Sequence, residues 1–168
     1  RFLVACYKET FAESCAQHLA PADTDLPIDF LVGKTSEIIE AADCCLMVSG
    51  SVSLEMLARG TPAAVLYRCG WDMYLVGKLL VTCKYMSLPN LMAGREILPE
   101  FLSVGNAERD IAQMTATLAG WLGDAERLDR SKTELAALRD DVAQTGATSR
   151  TAGMILDRLN SRLLEQAA

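Results

Sequence analysis

Residues 44–67 read CCLMVSGSVSLEMLARGTPAAVLY, and this stretch decides the fold. The apolar run 44–48 ends at a Ser-Gly-Ser turn, and a helical pattern follows over 51–59. Gly60 ends that helix, and a second apolar run begins at 63–67. Two apolar strands joined by a short helix predict parallel strands that are covered on both faces. The pattern therefore indicates an α/β protein.

The same alternation extends in both directions along the chain. Further strands are predicted at residues 2–7, 28–32 and 84–88, and further helices at residues 8–20, 35–42 and 71–83. Strands separated by helical stretches of about ten to fifteen residues are typical of βαβ crossovers. The sequence therefore predicts a Rossmann-like, doubly wound parallel sheet.

The pattern changes after Gly105, where three amphipathic helices are predicted at 106–122, 125–144 and 149–166. We therefore expect residues 1–105 to form the Rossmann-like domain and residues 106–168 to form a helical segment. The last helix has one apolar stripe, made of Ala152, Ile155, Leu156, Leu159 and Leu163. Three surfaces could pack against this stripe, and the sequence does not choose between them: the sheet of this domain, a missing N-terminal domain, or a second subunit.

Composition and charge exclude several classes of protein. The chain has 168 residues, a formal net charge of −6 and no long basic cluster, which argues against nucleic-acid binding. The sequence shows neither a bilayer-spanning apolar run nor a signal peptide, so a cytoplasmic location is expected. Six cysteines without a C-x-x-C pair, and a single histidine, His18, argue for reduced thiols and against a zinc site. Because the chain opens on Arg1 and an apolar run, we expect it to be part of a longer protein.

The turn after the third predicted strand is the first candidate ligand site. Gly50 allows close approach of a phosphate, the following helix supplies N–H donors and a positive dipole end, and Ser49 and Ser51 add hydroxyls. Glu55, four residues after Ser51, is placed to accept hydrogen bonds from a ribose diol. The alternative interpretation is an ordinary helix start, with Ser51 as its cap and Glu55 as a favourable charge.

The second candidate is residues 87–96, SLPNLMAGRE, predicted as the loop after the fifth strand and at the same sheet edge. Arg95 has the geometry to bind phosphate oxygens, and Asn90 has the groups to bind a phosphate or a sugar hydroxyl. The alternative is a plain turn at Asn90, followed by a solvated Arg95–Glu96 pair.

Three segments together resemble the lipid-A-disaccharide synthase family: SGSVSLE at 49–55, VLYR at 65–68 and YMSLPNLMAGRE at 85–96. The resemblance is clear from about Phe30 to Phe101. It implies one half of a B-type glycosyltransferase, in which two Rossmann-like domains enclose the active site. It also implies transfer of 2,3-diacylglucosamine from its UDP donor to 2,3-diacylglucosamine 1-phosphate, forming a β-1,6 disaccharide with inversion.

The resemblance also implies roles for particular residues. Ser49, Gly50 and Ser51 would hold the diphosphate, and Glu55 would bind the ribose. Arg95 and Asn90 would stabilise the leaving group or bind the donor. Glu96 would orient Arg95 or meet a sugar hydroxyl, Arg68 would lie in the loop after the fourth strand, and Gly33 and Lys34 would face the uracil. No metal or cofactor is implied.

Other parts of the enzyme are expected outside this chain. The resemblance places the general base, the acyl-chain surface and the peripheral contact with the inner membrane on the missing N-terminal domain, so this chain alone should be inactive. It also implies a possible homodimer. Two other functions stay open: a UDP-N-acetylglucosamine 2-epimerase relative, and a non-catalytic flavodoxin-like module.

Overall fold

The computed structural model describes residues 1–48, 50–105, 107–142 and 146–166, with side chains described as far as residue 159 except at 147. Its five strands are β1 (Phe2–Cys6), β2 (Ile28–Val32), β3 (Cys45–Val48), β4 (Ala63–Cys69) and β5 (Glu100–Val104). Its helices are α1 (Glu9–Gln17), α2 (Thr35–Ala41), α3 (Val52–Arg59), α4 (Trp71–Leu80), α5 (Leu88–Ala93), α6 (Glu108–Gly123), α7 (Ala125–Val142) and α8 (Ala147–Gln166). A 3-10 turn, Pro21–Asp23, precedes β2.

All strand pairs in the described residues are parallel, and they form two sheets. β1 pairs with β2, and β3, β4 and β5 pair in that order. The parallel strands and the helices between them confirm the predicted Rossmann-like α/β class. The strands form two separate sheets, rather than the single sheet that was predicted.

One predicted strand was wrong. Residues 84–88 form no strand, and the fifth strand is Glu100–Val104. The SLPNLMAGRE segment therefore precedes β5, contrary to the prediction that it follows the fifth strand. Pro89 lies at the start of α5, where its missing N–H is harmless, and Gly94 ends that helix with a φ of 64°.

The main core lies between the three-stranded sheet and its helices. Ala63 and Val65 of β4 are wholly buried against Ile39 of α2 and Leu57 of α3. Leu135 of α7 belongs to the same cluster, because α7 packs on α3 and α5. The boundary between 1–105 and 106–168 stays a prediction, but the core continues across it.

The apolar stripe of α8 does not lie on this core. Ile155, Leu156 and Leu159 are all exposed, so packing of these side chains on the chain's own sheet is not what the structure shows. The side chain of Leu163 lies outside the described residues.

Candidate functional site

The carboxyl end of β3 forms a recess at the edge of its sheet. Val48, the last residue of β3, aligns with Leu66 of β4, whereas β4 continues for three more residues, to Cys69. Those three residues extend about 10 Å beyond the end of β3. The turn that carries Gly50 and Ser51 begins in this recess.

Gly50 has open space on one side and is held by hydrogen bonds on the other. A Cβ built on Gly50 meets no atom within 4 Å. The Gly50 carbonyl accepts a hydrogen bond of 3.1 Å from the Ser53 N–H and one of 2.9 Å from the Ser53 hydroxyl. The sequence did not single out Ser53, which is buried and fixes the turn. Ser49 lies outside the described residues.

Helix α3 begins directly after this turn, and Ser51 is its N-cap residue. Ser51 is exposed, and its side chain makes no capping hydrogen bond. The structure therefore does not show the alternative role of Ser51 as a side-chain cap. A helix N-terminus next to open space favours an anion, because its N–H groups and dipole point outward.

Glu55 lies in the first turn of α3 and is partly buried. Its carboxylate accepts a hydrogen bond of 3.3 Å from Nε of Arg59, whose Nη1 binds Glu40 of α2 at 2.8 Å. Arg59 therefore links the two carboxylates. Sequence reasoning missed Arg59, although its i,i+4 spacing from Glu55 is a recognisable ion-pair signal.

Asn90 is wholly buried, and all its polar atoms bind other parts of the chain. Its Nδ2 donates to the Leu98 carbonyl at 2.7 Å and to Glu100 at 2.8 Å. Its Oδ1 accepts from the N–H groups of Ile97 at 2.7 Å and Leu98 at 2.9 Å. The carboxylate of Glu100 also accepts from the N–H groups of Ser87 and Met86. We call this set of contacts the Asn90–Glu100 clasp; the sequence predicted nothing about Glu100.

The two charged residues of this segment, Arg95 and Glu96, face solvent. Arg95 is exposed and forms an ion pair of 2.8 Å with Glu134 of α7. Glu96 is exposed and lines an open cavity of about 360 Å³ together with Glu100, Trp121 and Arg127.

Arg68 lies within β4, where it aligns with Ser103 of β5. The prediction that Arg68 lies in the loop after the fourth strand was therefore wrong, because β4 continues as far as Cys69. Arg68 is exposed, in the part of β4 that extends beyond β3.

Gly33 and Lys34 directly follow β2, so they lie at the end of the β1–β2 sheet and not at the sheet that contains β3. Gly33 has a φ of 66° and donates from its N–H to the Cys6 carbonyl at 2.9 Å. Lys34 binds Glu37 at 2.8 Å. The hydrogen bond from Lys34 lowers the pKa of Glu37, and the same contact raises the pKa of Lys34.

The sheet brings the β3 turn and the Asn90–Glu100 clasp near each other, although they are far apart in the sequence. Val65 of β4 aligns with both Met47 of β3 and Glu100 of β5, so Glu100 lies level with the second-last residue of β3. Helix α5 also packs on α3. Two strand spacings, about 10 Å, separate β3 from β5.

The described residues contain neither a candidate metal site nor a membrane-spanning helix. No three His, Cys, Asp or Glu side chains there gather as metal ligands do. None of the helices in that part of the chain has the length and apolar character needed to cross a bilayer.

The fold and this edge define a Rossmann-like α/β domain, of the class that binds ligands beyond the carboxyl ends of its strands. The comparisons with known proteins are more specific: the family described as lipid-A-disaccharide synthetase matches residues 1–149. The chain belongs to that family.

Individual relatives agree with this family. A lipid-A-disaccharide synthase of Syntrophus aciditrophicus is 34% identical over 137 residues, covering 80% of this chain and 35% of the relative. One of Pseudomonas aeruginosa is 33% identical over 148 residues, covering 88% of this chain and 38% of the relative. One of Azotobacter vinelandii is 37% identical over 102 residues, covering 61% of this chain and 27% of the relative. The chain thus spans about a third of the length of these curated relatives.

Proposed function

We propose that this chain is the donor-binding part of an inverting glycosyltransferase. The whole enzyme would transfer 2,3-diacylglucosamine from its UDP donor to 2,3-diacylglucosamine 1-phosphate. The observation that carries the proposal is the recess after β3, where Gly50 borders open space at the start of α3 and Glu55 lies one turn further on. Membership of the lipid-A-disaccharide synthetase family supports the choice of reaction.

In this proposal Ser49, Gly50 and Ser51 hold the donor diphosphate. Close approach to the backbone at Gly50 lets phosphate oxygens reach the N–H groups at the start of α3. Glu55 accepts hydrogen bonds from the ribose hydroxyls, and the hydrogen bond from Arg59 orients its carboxylate. Gly33 and Lys34 contribute to the uracil side.

Charge development explains why such a site promotes the reaction. The acceptor 6-hydroxyl attacks the anomeric carbon as the bond to the UDP oxygen breaks, so negative charge grows on the leaving diphosphate. Donors already fixed around that oxygen stabilise the transition state more than the ground state. The proton of the acceptor hydroxyl passes to a base outside this chain.

Arg95 and Asn90 take different parts in the proposal. Arg95 is exposed and paired only with an exposed carboxylate, so exchanging Glu134 for a phosphate has a small energetic cost. Asn90 would reach a ligand only by breaking its contacts in the clasp. We therefore assign Asn90 to positioning residues 86–100. Arg68 and Glu96 remain candidate donor contacts, because both are exposed near these elements.

Ligand-observed NMR with UDP, GDP and FMN tests the proposal on the full chain. We expect binding that prefers UDP, and a loss of affinity of about tenfold or more in Glu55→Ala. Glu40→Ala is the matched control, since Glu40 binds the same Arg59 from α2 but lies away from the start of α3. Circular dichroism checks that both variants fold.

Three outcomes would contradict the proposal. Equal binding of UDP and GDP would remove the uridine assignment, and preference for FMN would favour a flavodoxin-like module. Equal losses in Glu55→Ala and Glu40→Ala would show that only the shared ion pair matters.

A further inference from the structure

Two cysteine side chains lie next to each other where helix α1 packs on the β1–β2 sheet. Cys6 is the last residue of β1 and is 4% exposed. Cys15 lies in the second turn of α1, and its side chain is exposed. Both are free cysteines, and their thiol groups share a hydrogen bond. One thiol of the pair is therefore buried, and the other is open to solvent.

The packing of α1 explains why the two thiols are close. The helix begins three residues after Cys6 and packs on both β1 and β2. Ala12 is the buried residue of α1, so it marks the side of the helix that faces the sheet. Cys15 follows Ala12 by three residues and so lies one turn further along that side. The helix therefore holds Cys15 at the boundary between the sheet and solvent.

The surroundings of the two thiols give them different roles in oxidation. Burial raises the pKa of the Cys6 thiol, and Cys15 raises this pKa further through its charge and through the hydrogen bond. Cys6 therefore keeps its proton and donates it toward the sulfur of Cys15. A small oxidant in solvent reaches Cys15 first, because Cys15 is the exposed thiol and the thiolate is the reactive form.

Cys44 and Cys45 form a second close pair, but they are less suited to a disulfide. They are adjacent in the sequence, so their Cα atoms lie about 3.8 Å apart, which is closer than disulfides usually span. Both are also partly buried. Cys6 and Cys15 lie on two different elements, so no such limit applies to them.

We propose that Cys6 and Cys15 are a peroxide-reactive pair that forms a reversible disulfide. The Cys15 thiolate attacks hydrogen peroxide, the O–O bond breaks, and Cys15 becomes a sulfenic acid as hydroxide leaves. The sulfur of Cys6 then attacks the sulfur of Cys15, and the hydroxyl group leaves with the Cys6 proton as water. Two thiols are oxidised, and one peroxide is reduced to two water molecules. A dithiol reductant reverses the oxidation.

The disulfide fixes α1 to the end of β1. The Cys6 carbonyl also accepts a hydrogen bond of 2.9 Å from the Gly33 N–H, in the turn after β2. Oxidation therefore joins the helix to a strand end that already holds the neighbouring turn. This modification does not depend on the nucleotide assignment.

Peroxide treatment of the full chain, followed by mass spectrometry without reductant, tests the proposal. Trypsin cleaves after Lys8, between the two cysteines, so the disulfide joins peptide 2–8 to peptide 9–34. We expect this linked pair to exceed every other disulfide by about tenfold or more, and to disappear when dithiothreitol is added. Failure of the linked pair to form would overturn the proposal.

Two serine variants at exposed positions complete the test. Cys15→Ser should leave Cys6 as a free thiol after the same treatment. Cys83→Ser is the matched control, because Cys83 is also exposed but lies on a different tryptic peptide, and it should form the linked pair as the unmodified chain does. Circular dichroism checks that both variants fold.

Two further outcomes would contradict the assignment. Linkage of Cys15 mainly to Cys83 or to a second molecule would show that exposure alone decides the product. Oxidation of Cys15 to a sulfonic acid, with Cys6 left as a free thiol, would show that Cys6 does not reach the oxidised sulfur.

Discussion

Nδ2 of Asn90 donates a hydrogen bond of 2.8 Å to Oε1 of Glu100. This bond joins the buried side chain of Asn90 to the first residue of β5. The remaining polar atoms of both side chains bind main-chain groups of residues 86–98. The clasp therefore fixes the path of the chain from the end of α4 into the sheet.

We expect Asn90→Ala to lower the free energy of unfolding by about 3 kcal/mol, because it leaves buried main-chain groups of Ile97 and Leu98 without partners. Urea denaturation followed by circular dichroism measures this. Met92→Ala, at an exposed position of the same helix, should change the free energy of unfolding by less than about 1 kcal/mol. Unchanged stability in Asn90→Ala, together with lost UDP binding, would show that Asn90 is a ligand contact and not a positioning residue.

The error in predicting the fifth strand has a physical cause in the same clasp. Residues 84–88 have the apolar pattern of a strand, whereas 100–104 begins with a glutamate, which is unfavourable in a strand pattern. Glu100 is tolerated because three hydrogen-bond donors from distant residues surround its carboxylate. Local sequence does not reveal such contacts.

Other features were predictable because they depend on local pattern alone. β2 has the predicted bounds, 28–32, and Gly60 ends α3 in the left-handed conformation as expected. The recess beyond β3 was not predictable, since it depends on how far neighbouring strands extend in register. The contact between Cys6 and Cys15 was not predictable either, because it depends on how α1 packs on the β1–β2 sheet.

We expect Arg95→Ala to change stability by less than about 1 kcal/mol, because its ion pair with Glu134 is exposed on both sides. If Arg95 binds the donor diphosphate, the same variant should weaken UDP binding about tenfold, as measured by calorimetry. Glu134→Ala removes the same ion pair but should retain or slightly improve UDP affinity, since it frees Arg95. Equal weakening in both variants would assign the effect to the ion pair alone.

The cysteines should differ in reactivity. Burial, with a smaller contribution from Cys44, raises the pKa of Cys45 to about 11, and the thiolate is the reactive form. At pH 8 a thiol reagent should label the exposed Cys15 and Cys83 quickly and Cys45 slowly, with the Cys45 rate increasing toward pH 11. Because the folded chain favours the neutral thiol, raising the pH from the ordinary cysteine range toward 11 should lower stability. Peptide mass spectrometry identifies the labelled sites, and labelling of Cys45 as fast as Cys83 at pH 8 would contradict the prediction.

Gly50 and Gly60 begin and end the same helical segment, and alanine at each should separate ligand binding from stability. A Cβ at Gly50 meets no protein atom within 4 Å, but the φ of 158° is one that L residues rarely adopt, so Gly50→Ala should lower the free energy of unfolding by about 1 kcal/mol. It should weaken UDP binding about tenfold, because the methyl group occupies the space through which a phosphate approaches the backbone. Gly60 has a φ of 72°, so Gly60→Ala should lower the free energy of unfolding by about 1 kcal/mol and leave UDP affinity unchanged. Calorimetric titration and urea denaturation of both variants provide the comparison. UDP affinity retained in Gly50→Ala would mean that the diphosphate lies elsewhere, since no ligand could then be in contact with that turn.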